Sequence, residues 1–185
     1  MQLDRFSPPV LIRLLALASA LVFTGLAHAD DYSDVNQLLK SGKGTEALAK
    51  ADKYLADKPK DPQMRFLKGV IQTQAGNTTE AIATFTALTQ DYPELPEPYN
   101  NLAALHASQN QLDKARTALE MAIRINPGYA IAHENLGDIY ARMANQSYAR
   151  AQQLEPGNAQ LAPKMALIRD VFNVGAKPAK PAAKK

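Results

Sequence analysis

The chain contains no cysteine and no tryptophan, and only three histidines in 185 residues. Without cysteine there is no disulfide framework, no thiolate nucleophile and no zinc site built on sulfur. The histidines are His28, His106 and His133, and none has a second histidine beside it in sequence. A glycine-rich phosphate loop, a serine–histidine–acid set and a recognisable metal-ligand spacing are all missing. Long apolar runs are missing too. The longest apolar stretch, Leu14 to Ala27, falls short of the roughly 20 residues that cross a bilayer as a helix. These absences leave a non-catalytic protein with no metal and no cofactor as the expectation. What is present, 46% hydrophobic residues with 21 basic against 18 acidic side chains, fits one globular domain with tails and argues against wholesale disorder.

Residues 1–29 read as an address rather than as structure. Arg5 and Arg13 precede or open the apolar centre, and Ala27 and Ala29 place small residues two positions apart ahead of Asp30. That is the order of a cleavable secretory signal, which puts a soluble product in the periplasm. The alternative is an uncleaved anchor, since Asp4 and the Pro8, Pro9 pair make the start atypical. Removing Arg5, Arg13 and Asp4 leaves 19 basic and 17 acidic side chains, and four of those cations, Lys177, Lys180, Lys184 and Lys185, lie in the last nine residues. The body is therefore close to neutral and lacks the basic field that drives nucleic-acid binding. Nucleic acid is excluded as a partner.

An internal period organises the rest. Pro59, Pro93 and Pro127 recur at a constant interval of thirty-four, as do Ala47, Ala81 and Ala115. Gly42 and Gly76 precede the first two alanines by five, with Asn110 in the third slot, and Ala51, Phe85 and Leu119 follow each alanine by four. Gly69, Ala103 and Gly137 carry the same period through small residues. A period of this length marks a repeat array whose units bury their apolar faces against one another.

One unit can be built from its residues. Between Gln63 and Ala75, Phe66, Leu67, Val70 and Ile71 recur at helical spacing and predict one helix. Gly76 ends it, because a residue without Cβ takes the left-handed conformation that a helix terminus favours. Thr78 or Thr79 is expected to cap a second helix with Ala81, Ile82, Phe85 and Leu88 on its apolar face, and Pro93 stops that helix. Gly69 and Ala81 let the two helices approach closely, while Phe85 and Leu88 fill the space between this hairpin and the next.

These positions resemble the tetratricopeptide repeat (TPR) family. The unit at 62–95 supplies Gly69, Gly76, Ala81, Phe85 and Pro93, and the unit at 96–129 supplies Tyr99, Leu102, Ala103, Ala115, Ala122 and Pro127. A first unit near 31–61 is degenerate, with Asp34 and Val35 at the Leu and Gly slots. The resemblance implies an all-α fold, a right-handed α-solenoid of about three to four helix hairpins, with a monomeric chain and a protein or peptide as partner. In the fourth unit, 130–157, the closing proline is Pro156, five short of the position that the period from Pro127 requires. With the missing positions goes the turn, so one uninterrupted helix from about Ile131 to Leu154 is predicted, against a kinked pair around Asn145. A last helix within 158–174, carrying Leu161, Met165, Ile168, Val171 and Phe172, is expected to cap the stack. The tail, 175–185, holds only small, basic and proline residues. It reads either as a solvated terminus or as a weak tether to anionic envelope polymers such as peptidoglycan, or to membrane. The second option makes the protein an envelope structural or assembly factor.

In this family the first helix of each hairpin lines a concave surface. Carried onto this chain, the resemblance places Gln63, Phe66, Leu67, Val70, Thr73 and Gln74 there, then Glu97, Asn100, Asn101, Ala104 and Ser108, then Glu134, Asn135, Asp138 and Arg142. The candidate partner-binding set is Phe66, Leu67, Val70, Gln74, Asn100, Asn101, Asn135, Asp138 and Arg142. Phe66, Leu67 and Val70 form the apolar anchor. Asn101 and Asn135, one full period apart, are expected to stack in line and to read a peptide backbone, since an amide both donates and accepts. The other reading of the asparagines is ordinary capping or hydration. Glu134, Asp138 and Arg142 share one helix face, as a solvated stripe or as partner contacts. His106 and His133 are possible neighbours, in packing or surface roles rather than as a metal site.

Overall fold

The computed structural model describes residues 31–172, and within them every regular element is an α-helix. The predicted leader, 1–29, and the basic tail, 175–185, lie outside the described residues. The chain divides into two compact units, with the boundary between Asp91 and Tyr92. The first contains α1 (31–40), α2 (Gly44–Asp57), α3 (Pro62–Gln74) and α4 (Thr78–Asp91). The second contains α5 (Pro96–Ser108), α6 (Leu112–Ile125), α7 (Ala130–Leu154) and α8 (Leu161–Phe172).

Two kinds of turn recur. Inside each hairpin the chain reverses at Gly42 (φ 73°), Gly76 (φ 77°) or Asn110 (φ 58°), the left-handed conformation that glycine adopts freely and asparagine tolerates. At each, two backbone bonds tie off the preceding helix. The Gly76 amide donates to the Thr73 carbonyl (3.1 Å) and the Asn77 amide to that of Gln72 (2.9 Å). The same pair recurs one repeat on, from Asn110 to Ala107 (3.0 Å) and from Gln111 to His106 (2.9 Å). This paired pattern satisfies carbonyls that a helix end otherwise leaves bare. Between hairpins, Pro59, Pro93, Pro127 and Pro156 each occupy the second position of a four-residue turn, closed by bonds such as Asp61 to Lys58 (3.2 Å) and Tyr129 to Asn126 (3.1 Å). Proline's fixed φ suits that position. The expected threonine cap is not formed as read: Thr78 is the first residue of α4, and its hydroxyl turns back to the Gly76 carbonyl at 3.4 Å.

Within the hairpins, small and large residues trade places. A Cβ on Gly69 of α3 would lie 2.6 Å from Cζ of Phe85 on α4, so the glycine exists to admit that ring. Phe85 is fully buried and meets Phe66 edge to face, with centroids 5.6 Å apart. In the same slots α1 and α2 carry Val35 and Ala51, and α5 and α6 carry Ala103 and Leu119, each pair within one apolar cluster. Where the first helix is bulkier, the second is smaller, which keeps the interior at the close packing folded proteins require. The degenerate first unit is thus a complete hairpin with its volume redistributed.

That hairpin is also tied by polar groups not foreseen from the sequence. The Tyr32 hydroxyl on α1 donates to Asp61 Oδ2 (2.5 Å), the Tyr54 hydroxyl on α2 donates to the same oxygen (3.3 Å), and Asp61 Oδ1 accepts from the Met64 amide (2.8 Å) to cap α3. One carboxylate therefore joins three helices. Burial first, and then the bond to Asp61, push the Tyr32 phenol up from the ordinary tyrosine range. Between α3 and α4, buried Gln72 accepts from the Thr84 hydroxyl at 2.7 Å.

In the second unit α7 runs unbroken for 25 residues, where α5 has 13 and α6 has 14. One period after Asn110 the slot holds Ala144, which has no reason to leave the right-handed helix, so the chain continues straight. Only Ala132 and Ile139 of α7 are fully buried, both toward its N-terminal part. α8 packs along α7 with Leu161 buried, but Val171 and Phe172 are 53% and 48% exposed.

Candidate functional site

The predicted contact residues fall into both units. In the first, Phe66 on α3 is half-buried and spends its ring on Phe85, and Leu67 packs against the cluster around Val35 and Tyr54. The apolar anchor is therefore largely absorbed by packing within the first unit. Val70 is also half-buried, and Gln74 is exposed at the last residue of α3.

In the second unit the structure gathers most of the remaining set. Asn135 Nδ2 on α7 donates to Asn100 Oδ1 on α5 at 2.8 Å, bridging the two helices. This corrects the expected line of Asn101 with Asn135. Asn101 Nδ2 donates instead to the Glu97 carbonyl one turn back in its own helix, at 2.9 Å. The physical reason is that adjacent residues on a helix point about 100° apart, so only one of Asn100 and Asn101 can face α7. Arg142 donates through Nη2 to the Ala107 carbonyl at 3.0 Å, satisfying a group near the C-terminus of α5.

Between α5 and α7 lies a cleft of about 320 Å³. Ala103, Ala104, Ala107, Leu119 and Ile139 give it an apolar lining, and Asn135, Asp138 and Arg142 supply its polar groups. The alanines leave the space, because none reaches beyond Cβ. Phe172, at the end of α8, also lines it. The sequence predicts α8 as a cap on the stack, and the candidate contact set contains none of its residues. The signal available was the five-residue deletion, which removes a turn and leaves α8 to follow the single long helix.

A second cleft, of about 380 Å³, adjoins the first through Arg142 and Phe172 and is bounded by α7, α8 and the α5–α6 turn. Gln146 Nε2 on α7 donates to Asn110 Oδ1 in that turn at 3.1 Å. The histidines are held separately, His106 Nδ1 with Gln111 Oε1 at 2.9 Å and His133 Nε2 donating to the Pro127 carbonyl at 3.0 Å. Among the described residues no three of His, Asp and Glu converge on a point that holds a metal. Burial, and after it the Glu97 carboxylate, push the Tyr129 phenol up.

Comparison with known proteins agrees with the repeat pattern. Residues 35–96 match the family described as Tetratricopeptide repeat, and residues 105–143 match the one described as TPR repeat. The chain is 29% identical over 85 residues to the Arabidopsis thaliana tetratricopeptide repeat domain-containing protein PYG7, chloroplastic, covering 43% of this chain and 28% of that one. It is 33% identical over 82 residues to the TPR repeat-containing thioredoxin TTL4 of the same plant, covering 44% of this chain and 12% of that one. The chain thus spans under a third of either relative. Among solved structures, it resembles TTC0263, a thermophilic TPR protein of Thermus thermophilus, with TM-score 0.57, 21% identity and coverage of 78% of this chain and 82% of that one. The first TPR of Spaghetti (RPAP3), bound to the HSP90 peptide SRMEEVD, aligns with TM-score 0.59 and 17% identity over 63% of this chain and 92% of that one. At these identities the likeness to solved structures is one of fold.

Proposed function

We propose, from the premise that this chain belongs to the tetratricopeptide repeat family, that it is a non-catalytic scaffold holding a protein or peptide partner against the facing sides of α5 and α7, and that it works in the bacterial periplasm after loss of residues 1–29. The observation that carries the reading is the cleft itself: an apolar floor of alanines, Leu119 and Ile139 beneath a polar edge of Asn135, Asp138 and Arg142. A floor of that kind seats an apolar side chain, and the edge fixes the register of the backbone beside it. Asn135 and Arg142 are already held by Asn100 and the Ala107 carbonyl. Fewer rotamers are therefore lost on binding, each of which costs about 0.5–1.5 kcal/mol when it is free. The RPAP3 domain with its HSP90 peptide supports the reading as a case of this fold seating a peptide.

The test is a photoreactive benzoylphenylalanine introduced at exposed Ala104 in the exported full-length protein, with the same group at exposed Lys53 on α2 as control. A discrete adduct at 104 and none at 53 is the expected result; equal labelling at both sites removes the cleft as the binding surface. Intact mass of the envelope fraction checks the location, with a chain beginning at Asp30 expected and a chain retaining residues 1–29 counting against it.

A further inference from the structure

The cleft between α7, α8 and the α5–α6 turn has a chemistry of its own. Among the described residues that line it, no side chain is acidic, while two, Arg142 and Arg169, carry guanidinium groups. Three amides, Asn110, Asn145 and Gln146, stand beside them. Asn110 and Gln146 are bonded to each other, which leaves the Asn145 amide as the one of the three not engaged in that bond. The rest of the lining is apolar, made by Leu112 of α6 and by Met165, Ile168 and Phe172 of α8. At about 380 Å³ the cleft is large enough for one bulky side chain with the backbone on either side of it.

We infer that this cleft recognises an acidic, apolar segment of a partner protein, in which an Asp or Glu carboxylate next to a large aliphatic or aromatic side chain pairs with Arg142 and Arg169 while that side chain seats against Met165, Ile168 and Phe172. The inference rests on the scaffold reading and adds the partner's chemistry. The arrangement favours a carboxylate because guanidinium groups in a partly enclosed site pair with it through directed, charge-assisted hydrogen bonds. The amides suit a peptide backbone, which presents donors and acceptors in alternation. An anionic membrane is the less favoured occupant, since the body of the chain between the leader and the tail carries 15 basic against 17 acidic side chains and so no net positive charge.

The experiment uses the full chain and blocked hexapeptides of alternating glutamate and leucine, with glutamine-for-glutamate, lysine-for-glutamate and alanine-for-leucine versions as comparisons, followed by NMR. The glutamate–leucine peptide is expected to shift the side-chain amides of Asn145 and Gln146 and the Met165 methyl, and to bind at least tenfold more tightly than each comparison peptide. Arg169 is exposed, so Arg169→Gln leaves the fold in place. It is expected to lower affinity for the glutamate peptide while leaving the glutamine peptide unchanged, and Arg169→Glu is expected to reverse the order of the glutamate and lysine peptides. Equal binding of the glutamate and glutamine peptides, indifference to Arg169, shifts confined to other helices, or no saturable binding would each overturn the inference. So would Arg169-dependent binding to phosphatidylglycerol vesicles without binding to the peptide. A partner that crosslinks at position 104 yet ignores Arg169 removes this inference alone; peptide binding here with no adduct at 104 removes the α5–α7 cleft alone.

Discussion

Gly69 on α3 and Gly137 on α7 occupy the same slot of the period, two repeats apart, but their surroundings differ. A Cβ at Gly69 collides with the Phe85 ring at 2.6 Å, whereas one at Gly137 meets nothing within 4 Å. The difference arises downstream of each glycine. After α3 the chain turns at Gly76 and α4 returns to lay Phe85 against the glycine. After Gly137 the helix runs on, and Gln153, which matches Phe85 in the period, sits about 24 Å further along the same rod. The same letter in the same register thus carries a packing demand only where a second helix comes back to impose it. Both clefts lie beside α7 and take part of their lining from α8.

The sharpest way to break this comparison is to add one methyl group at each glycine. Gly69→Ala is expected to destabilise the protein by about 1–3 kcal/mol, through displacement of a ring that has no free volume to enter. A lowered urea midpoint with unchanged slope checks it, and Phe85→Leu in the same chain is expected to recover part of the loss, because it recreates the Ala103 and Leu119 pairing of the next hairpin. If the two changes simply add, the trade of volume between slots is wrong. Asn110→Ala should cost about 1–2 kcal/mol, since alanine resists the left-handed backbone there. Ala144→Gly, in the corresponding slot of α7, should cost about 1 kcal/mol for the opposite reason: glycine weakens a continuous helix. A gain of stability at Ala144→Gly would mean that a latent turn survives in α7. Gly137→Ala is expected to stabilise by about 0.5–1 kcal/mol, measured by the same urea titration, as alanine is the better helix former and nothing opposes it.

The smallest expected effect concerns the first hairpin and pH. The Tyr32 phenol is raised in the folded state, so its contribution is fully present below the ordinary tyrosine pKa of about 10 and is lost as pH climbs above that value. Stability followed from pH 8 into strongly alkaline solution should fall less steeply in Tyr32→Phe than in the native chain. Parallel curves would show that the Tyr32 phenol is not raised in solution by its burial and its bond to Asp61.

Much of the fold was legible in the sequence. Proline and glycine at a fixed interval mark the turns because their backbone preferences are local, and the missing five residues in the fourth unit were enough to predict α7. The site was legible only in part. The residues 100, 135, 138 and 142 do converge, but Phe66 is taken up by Phe85 of its own hairpin and Leu67 by the cluster shared with the preceding one, and the pairing of Asn135 with Asn100 rather than Asn101 depends on helix rotation that spacing alone leaves open. The contribution of Asp61 as a three-way tie was not visible, because residues 32, 54 and 61 share no periodic slot.

By itself the sequence determined where the helices start and stop, which of their faces are apolar, and that one turn was lost, since each of these follows from the conformational limits of single residues and their spacing. Tertiary structure alone decided which of two adjacent asparagines faces its neighbour, whether a glycine is wedged or free, and that the end of α8 lines the clefts beside α7. Those outcomes depend on distances between groups far apart in the chain, which are fixed only when the helices pack.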